Sequence, residues 1–173
     1  LAVAVERMPV AFARLRPAVP AMLLAGLGWL TWRESREYLN NEALWRATLA
    51  RNPAAFMAWA NLGDTLAQQG RHEEAIAAFR RGLQLRPDDA PTHNDLGCEL
   101  VAVGRPQEAI PLLERALRLK PGYPEVHNNL GNAFSRIGRS DEALSHYEAA
   151  VKLKPTHADA QDNLGCELMV RGR

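Results

Sequence analysis

Cysteine is close to absent, with Cys98 and Cys166 the two thiols in 173 residues. Two thiols do not make a multiply stapled scaffold, nor the four sulfur ligands of a cysteine-bound structural zinc. An excess of either charge is missing as well: 21 Lys and Arg stand against 20 Asp and Glu, a net charge of +1. A chain so balanced projects no global field of the kind that gathers nucleic acid by releasing counterions, so no nucleic-acid partner is expected. Catalytic signatures are lacking too. No phosphate loop, no Gly-x-Gly-x-x-Gly, no nucleophile elbow and no His-Glu-x-x-His occurs. The paired acids Glu73-Glu74, Asp88-Asp89 and Asp141-Glu142 fall at expected helix starts or interhelix turns, where capping and solvation explain them. With no convergent acid, base and nucleophile, this chain is expected to be non-catalytic and to use no cofactor.

What is there is the composition of a folded protein, 47% hydrophobic and 24% charged. The charge is uneven. Residues 1–33 carry Arg7, Arg14, Arg16 and Arg33 against Glu6, so the remainder is slightly acidic and the two regions are expected to meet different environments. Leu1 in place of Met, and Arg173 directly after a glycine, read as the ends of a piece cut from a longer polypeptide.

A repeat organises the rest. Leu-Gly pairs stand at Leu62-Gly63, Leu96-Gly97, Leu130-Gly131 and Leu164-Gly165, each 34 residues from the last. Further columns keep that register: Gly70, Gly104, Gly138 and Gly172; Ala75, Ala109 and Ala143; Phe79, Leu113 and Tyr147; Gly82, Ala116 and Ala150; Pro87, Pro121 and Pro155. Each unit reads as two helices. In the first, Trp59, Leu62 and Leu66 share one face, and Gly70 stops it. The second opens on Glu73-Glu74, where the helix dipole favours carboxylates, and ends before Pro87. Antiparallel packing would set Gly63, Gly97 and Gly131 against Ala75, Ala109 and Ala143, with Phe79, Leu113 and Tyr147 burying against the following unit.

These columns resemble the tetratricopeptide repeat family, whose period and signature positions they match. The resemblance implies an all-α solenoid with full repeats at 56–89, 90–123 and 124–157 and a partial fourth at 158–173. His93, His127 and Gln161 replace the aromatic of Trp59, and Leu66, Leu100 and Leu168 fill the usual tyrosine column. Residues 34–55 are expected to add a half-repeat helix, with Trp45 in the Phe79 column and Pro53 in the Pro87 column, capping the first full unit.

From Pro17 to Trp32 no charge occurs, and Arg16 and Arg33 bracket the run. The run is somewhat short of the roughly 20 residues a spanning helix needs, a shortfall that snorkelling arginines and the interfacial pair Trp29 and Trp32 would offset. A transmembrane helix at 17–32, within a membrane-associated segment 1–33, is the expectation. A signal peptide and an amphipathic or buried helix are the alternatives, the first disfavoured because no small-residue cleavage site follows Trp32. Nearby arginines balance on the two sides, so orientation is left open. The junction carries a second resemblance: Thr31-Trp32-Arg33, Tyr38, Leu44-Trp45-Arg46 and Asn52-Pro53 leading into Asn61-Leu62-Gly63 resemble the carboxy-terminal part of membrane-embedded O-mannosyltransferase-like proteins that carry such repeats. That implies a membrane protein with its repeats on the periplasmic or lumenal side, and a catalytic part outside this chain.

On a two-helix solenoid the first helices line the concave wall, where residues in phase form a ladder. Asn61, Asp95, Asn129 and Asn163 make one column; Asn94 and Asn128 stand beside it; Asp64 and Asn132 follow one turn later, with Cys98 and Cys166 in that same column. An amide offers both donor and acceptor, so the ladder is the candidate peptide-binding site, a bound polypeptide segment the expected partner, and solvation of the wall the plain alternative. The ladder resembles the peptide-holding asparagines of O-linked N-acetylglucosamine transferases at Asn61, Asn129 and Asn163, and departs from them at Asp95. The lysine clamp that some repeat families use for a terminal carboxylate is not evident, since Lys120, Lys152 and Lys154 are the only lysines and all sit near second-helix ends. His93 and His127 lie one repeat apart, too far to share a metal ion, and no metal site is expected. Leu164 and Leu168, without a covering second helix, leave self-association as a further possibility.

Overall fold

The computed structural model describes Leu27, Trp29 and residues 41–172. It divides into two units, 1–40 and 41–173. Of the first unit, Leu27 and Trp29 are described, both helical and exposed. The expected membrane span at 17–32 otherwise lies outside the described residues; among those described, no helix is long and apolar enough to cross a membrane.

The second unit is all-α among the described residues. Helix α1 covers 41–51. Then follow α2 (Phe56–Gln68), α3 (His72–Leu85), α4 (Ala90–Ala102), α5 (Pro106–Leu119), α6 (Pro124–Arg136), α7 (Ser140–Leu153) and α8 (Ala158–Val170). Even-numbered helices are the first helices of successive repeats, and odd-numbered ones from α3 the second.

The turn inside each repeat is a glycine device. Gly70, Gly104, Gly138 and Gly172 all adopt positive φ, from 73° to 78°. In the first repeat Arg71 N–H returns to Leu66 O at 2.9 Å and Gly70 N–H to Ala67 O at 2.9 Å. This double bond around a left-handed residue satisfies carbonyls that the helix end would leave orphaned, and only glycine adopts that backbone without strain. The next residue then starts the second helix: Arg71 reaches Glu74 at 2.6 Å and Arg105 reaches Glu108 at 2.7 Å, with Arg139 likewise on Glu142. Arg71 also grips Glu42 of α1 at 2.7 Å, and Arg105 meets Glu73 of the preceding repeat at 3.4 Å.

Packing within a repeat is tight at the glycine column. A Cβ built on Gly63 would lie 2.5 Å from the Phe79 ring, one on Gly97 2.6 Å from Leu113, and one on Gly131 would collide with Tyr147. The large second-helix residues therefore seat on the glycine of their own repeat, and Phe79 also borders a hollow with Asp95, Cys98 and Glu99 of the next. Helical side chains lean back toward the N-terminus and cover the turn before their own Cα, a direction that suits the Phe79 ring to reach Gly63. Ala75, Ala109 and Ala143 are fully buried in the same continuous core.

Neighbouring first helices approach one another, α2 to α4, α4 to α6 and α6 to α8, whereas the backbones of the second helices α3, α5 and α7 show no such approach to one another. The first helices thus stand closer together, and the stack curves with them on its inner wall. Leu49 of α1 joins the core and Trp45 packs against it. At the other end Gly165 has nothing within 4 Å of a built Cβ, and Met169 and Val170 are exposed.

Candidate functional site: the inner wall of the repeat stack

Each first helix brings one stripe of polar residues onto the inner wall, because the opposite stripe is consumed by the core residues Leu62, Leu96 and Leu130. The amides in that stripe are bonded to one another. Asn129 Nδ2 donates to Asn94 Oδ1 at 2.9 Å, and Asn163 Nδ2 donates to Asn128 Oδ1 at 3.0 Å and to Asn132 Oδ1 at 3.1 Å. Asn94 Nδ2 donates to Asp95 Oδ1 at 3.1 Å, and Tyr147 O–H to Asn132 Oδ1 at 2.8 Å. Asn94 and Asn128 are buried at 8% and 7% exposure, so these two face the chain itself. Asn61, Asp95, Asn129, Asn132 and Asn163 are half-buried, and Asp64 is exposed.

Two hollows open between these helices. One of about 170 Å³ is lined by Asp64, Gln68, Asp95, Cys98 and Glu99 beside Phe79. Another of about 390 Å³ is lined by Asn132, Ser135, Arg136, Asn163, Cys166 and Glu167. A larger cavity of about 700 Å³ lies elsewhere, between α3 and α5 over His93, Leu96 and Leu100, and is mostly apolar. Burial, then the charge of Asp64, pushes the Asp95 carboxyl up to about 6. Asp64, exposed by area and lining the same hollow, is pushed up by lost solvation and then by Glu99. Burial and the nearby Glu99 and Asp95 raise the Cys98 thiol. Both cysteines stay exposed and unpaired.

The structure adds wall residues outside the polar columns. Glu99 Oε2 accepts from His72 Nδ1 at 2.7 Å, and Glu167 accepts from Ser135 Oγ at 2.7 Å while only 7% exposed. Their column reads Thr65, Glu99, Ala133, Glu167, in which Thr65 and Ala133 interrupt the two glutamates. The Trp59 column proves to be a set of donors: Trp59 Nε1 bonds Pro53 O at 2.9 Å, His93 Nε2 bonds Pro87 O at 2.8 Å, and Gln161 Nε2 bonds Pro155 O at 2.7 Å. His127 pairs instead with His146, Nδ1 to Nδ1, at 3.1 Å. Among the described residues no group of three or more His, Cys, Asp or Glu is placed to hold a metal ion.

Paired helices of this length, in this turn geometry and at this period, match two models described as tetratricopeptide repeat, over residues 54–122 and 94–158. The chain belongs to the tetratricopeptide repeat family. Among curated relatives it is 36% identical over 73 residues to Protein O-mannosyl-transferase Tmtc2 of Drosophila melanogaster, a match covering 42% of this chain and 8% of that protein. The match thus spans under a tenth of that relative's length. Among solved structures, MamA superposes with a TM-score of 0.75 at 24% identity, covering 81% of this chain and 82% of MamA. YrrB, whose structure is described as a tetratricopeptide protein with an unusual peptide-binding site, gives 0.68 at 27% identity over 80% of this chain and 72% of its own.

Proposed function

We propose that the chain is a non-catalytic polypeptide-binding module that docks an extended or helical segment along the inner wall. One observation carries this reading: consecutive first helices place unspent amide and carboxylate groups around open hollows. Asn129 and Asn163 spend their Nδ2 groups on the chain and keep Oδ1 unbonded among the described residues. Those oxygens accept from ligand main-chain N–H, while Asn61, Asp64, Asp95 and Asn132 supply the flanking contacts. Buried Asn94 and Asn128 hold the donors in place. The peptide-binding site described for YrrB supports the same use of the fold.

The two thiols give a direct test, since Cys98 and Cys166 each line one hollow. Peptides selected on the full chain from a random displayed library are expected to lose binding once both thiols carry a bulky maleimide. Undiminished capture by the doubly labelled protein would place the site off this wall.

A second reading rests on the likeness to Tmtc2. In it, the repeats present substrate polypeptide to the catalytic part of a longer O-mannosyltransferase-like membrane protein, anchored through 17–32 and facing the periplasm or lumen. Many apolar spans, with acids in the first outward loop, in the gene upstream of this chain would favour it; a lone span would count against it.

A further inference from the structure

Charge is sorted between the two kinds of helix. Among the first helices α2 and α6 each carry one Asp or Glu, α4 two and α8 three, against a single cation, Arg136. The second helices are nearer balance, with seven acids against five Arg or Lys. Their cations are largely engaged with carboxylates, as in Arg80–Glu108 at 3.0 Å and Arg115–Asp88 at 2.5 Å. The near-zero charge of the whole chain hides an excess of acid on the first helices.

Several of the wall's carboxylates have no cation of their own. Asp64 and Asp95 face one hollow, and Asp95 accepts only from the neutral Asn94 among the described residues. Glu167 is more than nine-tenths buried, lines the other hollow, and has the neutral Ser135 hydroxyl as its hydrogen-bond partner. Arg136 lines that hollow without reaching salt-bridge distance of Glu167. A buried carboxylate without an ion partner is costly, and a ligand cation placed beside it offsets that cost. The raised Asp64 and Asp95 carboxyls agree with this deficit of positive charge.

We infer that the segment docked on the inner wall is cationic, with Lys or Arg heads seated against Asp64 and Asp95 in one hollow and Glu167 in the other. This rests on the peptide-binding reading above and adds the chemistry of the ligand. Complementary charge gives specificity and a fast, salt-sensitive encounter. Acidic segments are repelled by the same field.

The probes are capped, unstructured nonapeptides of one common sequence in which three spaced positions are Lys, Gln or Glu, titrated against the full chain. At low ionic strength the Lys peptide is expected to bind at least about tenfold tighter than the Gln peptide, and the ratio to shrink severalfold in about 0.5 M salt. Asp64→Asn with Asp95→Asn should cut the Lys advantage over the Gln peptide by about threefold or more. Glu148→Gln, an exposed acid on the second helix α7, serves as the control for bulk charge and should change neither peptide. Equal binding of Lys and Glu peptides, or an Lys advantage that Glu148→Gln reduces as much as the wall variants do, overturns the inference. If the Gln peptide still binds and is blocked by maleimide at Cys98 and Cys166, peptide docking on the wall survives that result. If none of the three peptides binds, the docking reading falls and the charge preference with it.

Discussion

Asn129 and Asn94 are joined across two repeats by a 2.9 Å bond from Nδ2 to Oδ1, in which the acceptor residue is only 8% exposed. The pair fastens the stagger of α6 on α4. Asn129→Ala leaves a buried acceptor unmet and is expected to lower unfolding free energy by about 1–3 kcal/mol. Adding Asn94→Ala should cost less than the two single losses together, with a coupling of at least about 0.5 kcal/mol in denaturant unfolding. Strictly additive losses would show that the bond contributes nothing to register.

Gly63 and Gly165 occupy one column yet should respond oppositely to the same change. At Gly63 a methyl meets the Phe79 ring at 2.5 Å, so Gly63→Ala overpacks the core and is expected to cost about 1–3 kcal/mol. Combining it with Phe79→Leu should recover part of the loss. Gly165 has open space, so Gly165→Ala should stabilise α8 by up to about 1 kcal/mol through helix propensity. Thermal melts of the variants decide this; a destabilising Gly165→Ala would mean the last groove is occupied.

The helix pairs were legible because six columns of residues recur in phase, and phase is a local property of the chain. Contacts between helices are not. Phase marks Phe79 as one of a column of large residues, but it does not say that the ring covers Gly63 of its own repeat as well as bordering the next. The amide column could be read as a wall, yet its bonding could not: Asn129 meets Asn94, and Asn163 meets Asn128, 35 residues apart instead of 34. That offset comes from the stagger of stacked repeats, which no in-phase column displays. Glu99 and Glu167 were missed for the complementary reason, since Thr65 and Ala133 break their column. His93 was read as packing in place of Trp59; what Trp59, His93 and Gln161 share is an N–H aimed at the carbonyl of the preceding proline.

Asp95 bears a stability cost that a neutral isostere should remove. Its folded-state carboxyl is raised to about 6, by burial first and Asp64 second, from a reference of 3.8. A raised acid means that the folded state holds the proton more tightly than the unfolded one, so this group destabilises the fold progressively as pH climbs from about 4 to about 6. Asp95→Asn keeps the Oδ1 acceptor for Asn94 and drops the charge. The variant is expected to be more stable than the parent at pH 7 and equal to it near pH 3.5 in urea titrations. A variant weaker than the parent at pH 7 would mean that the charge is already compensated.

His127 and His146 carry the opposite pH dependence. Their Nδ1 atoms lie 3.1 Å apart, so one ring donates to the bare nitrogen of the other, and His146 stacks on Phe134 at 5.4 Å and 10°. Burial lowers both imidazoles, and His127 lowers His146 further against the milder pull of Glu142. Glu142 is itself spent on Arg139, whose guanidinium lies 4.7 Å from the Phe134 ring centroid. The unfolded chain therefore takes up protons first, and the stability present above about pH 6.5 is lost as pH falls through the free-histidine range toward the lowered folded values. His146→Phe keeps a ring on Phe134 and removes one titrating partner. Denaturant midpoints should match the parent near pH 7.5 and exceed it near pH 5.5; parallel midpoints across that interval would put the acid sensitivity elsewhere in the repeats.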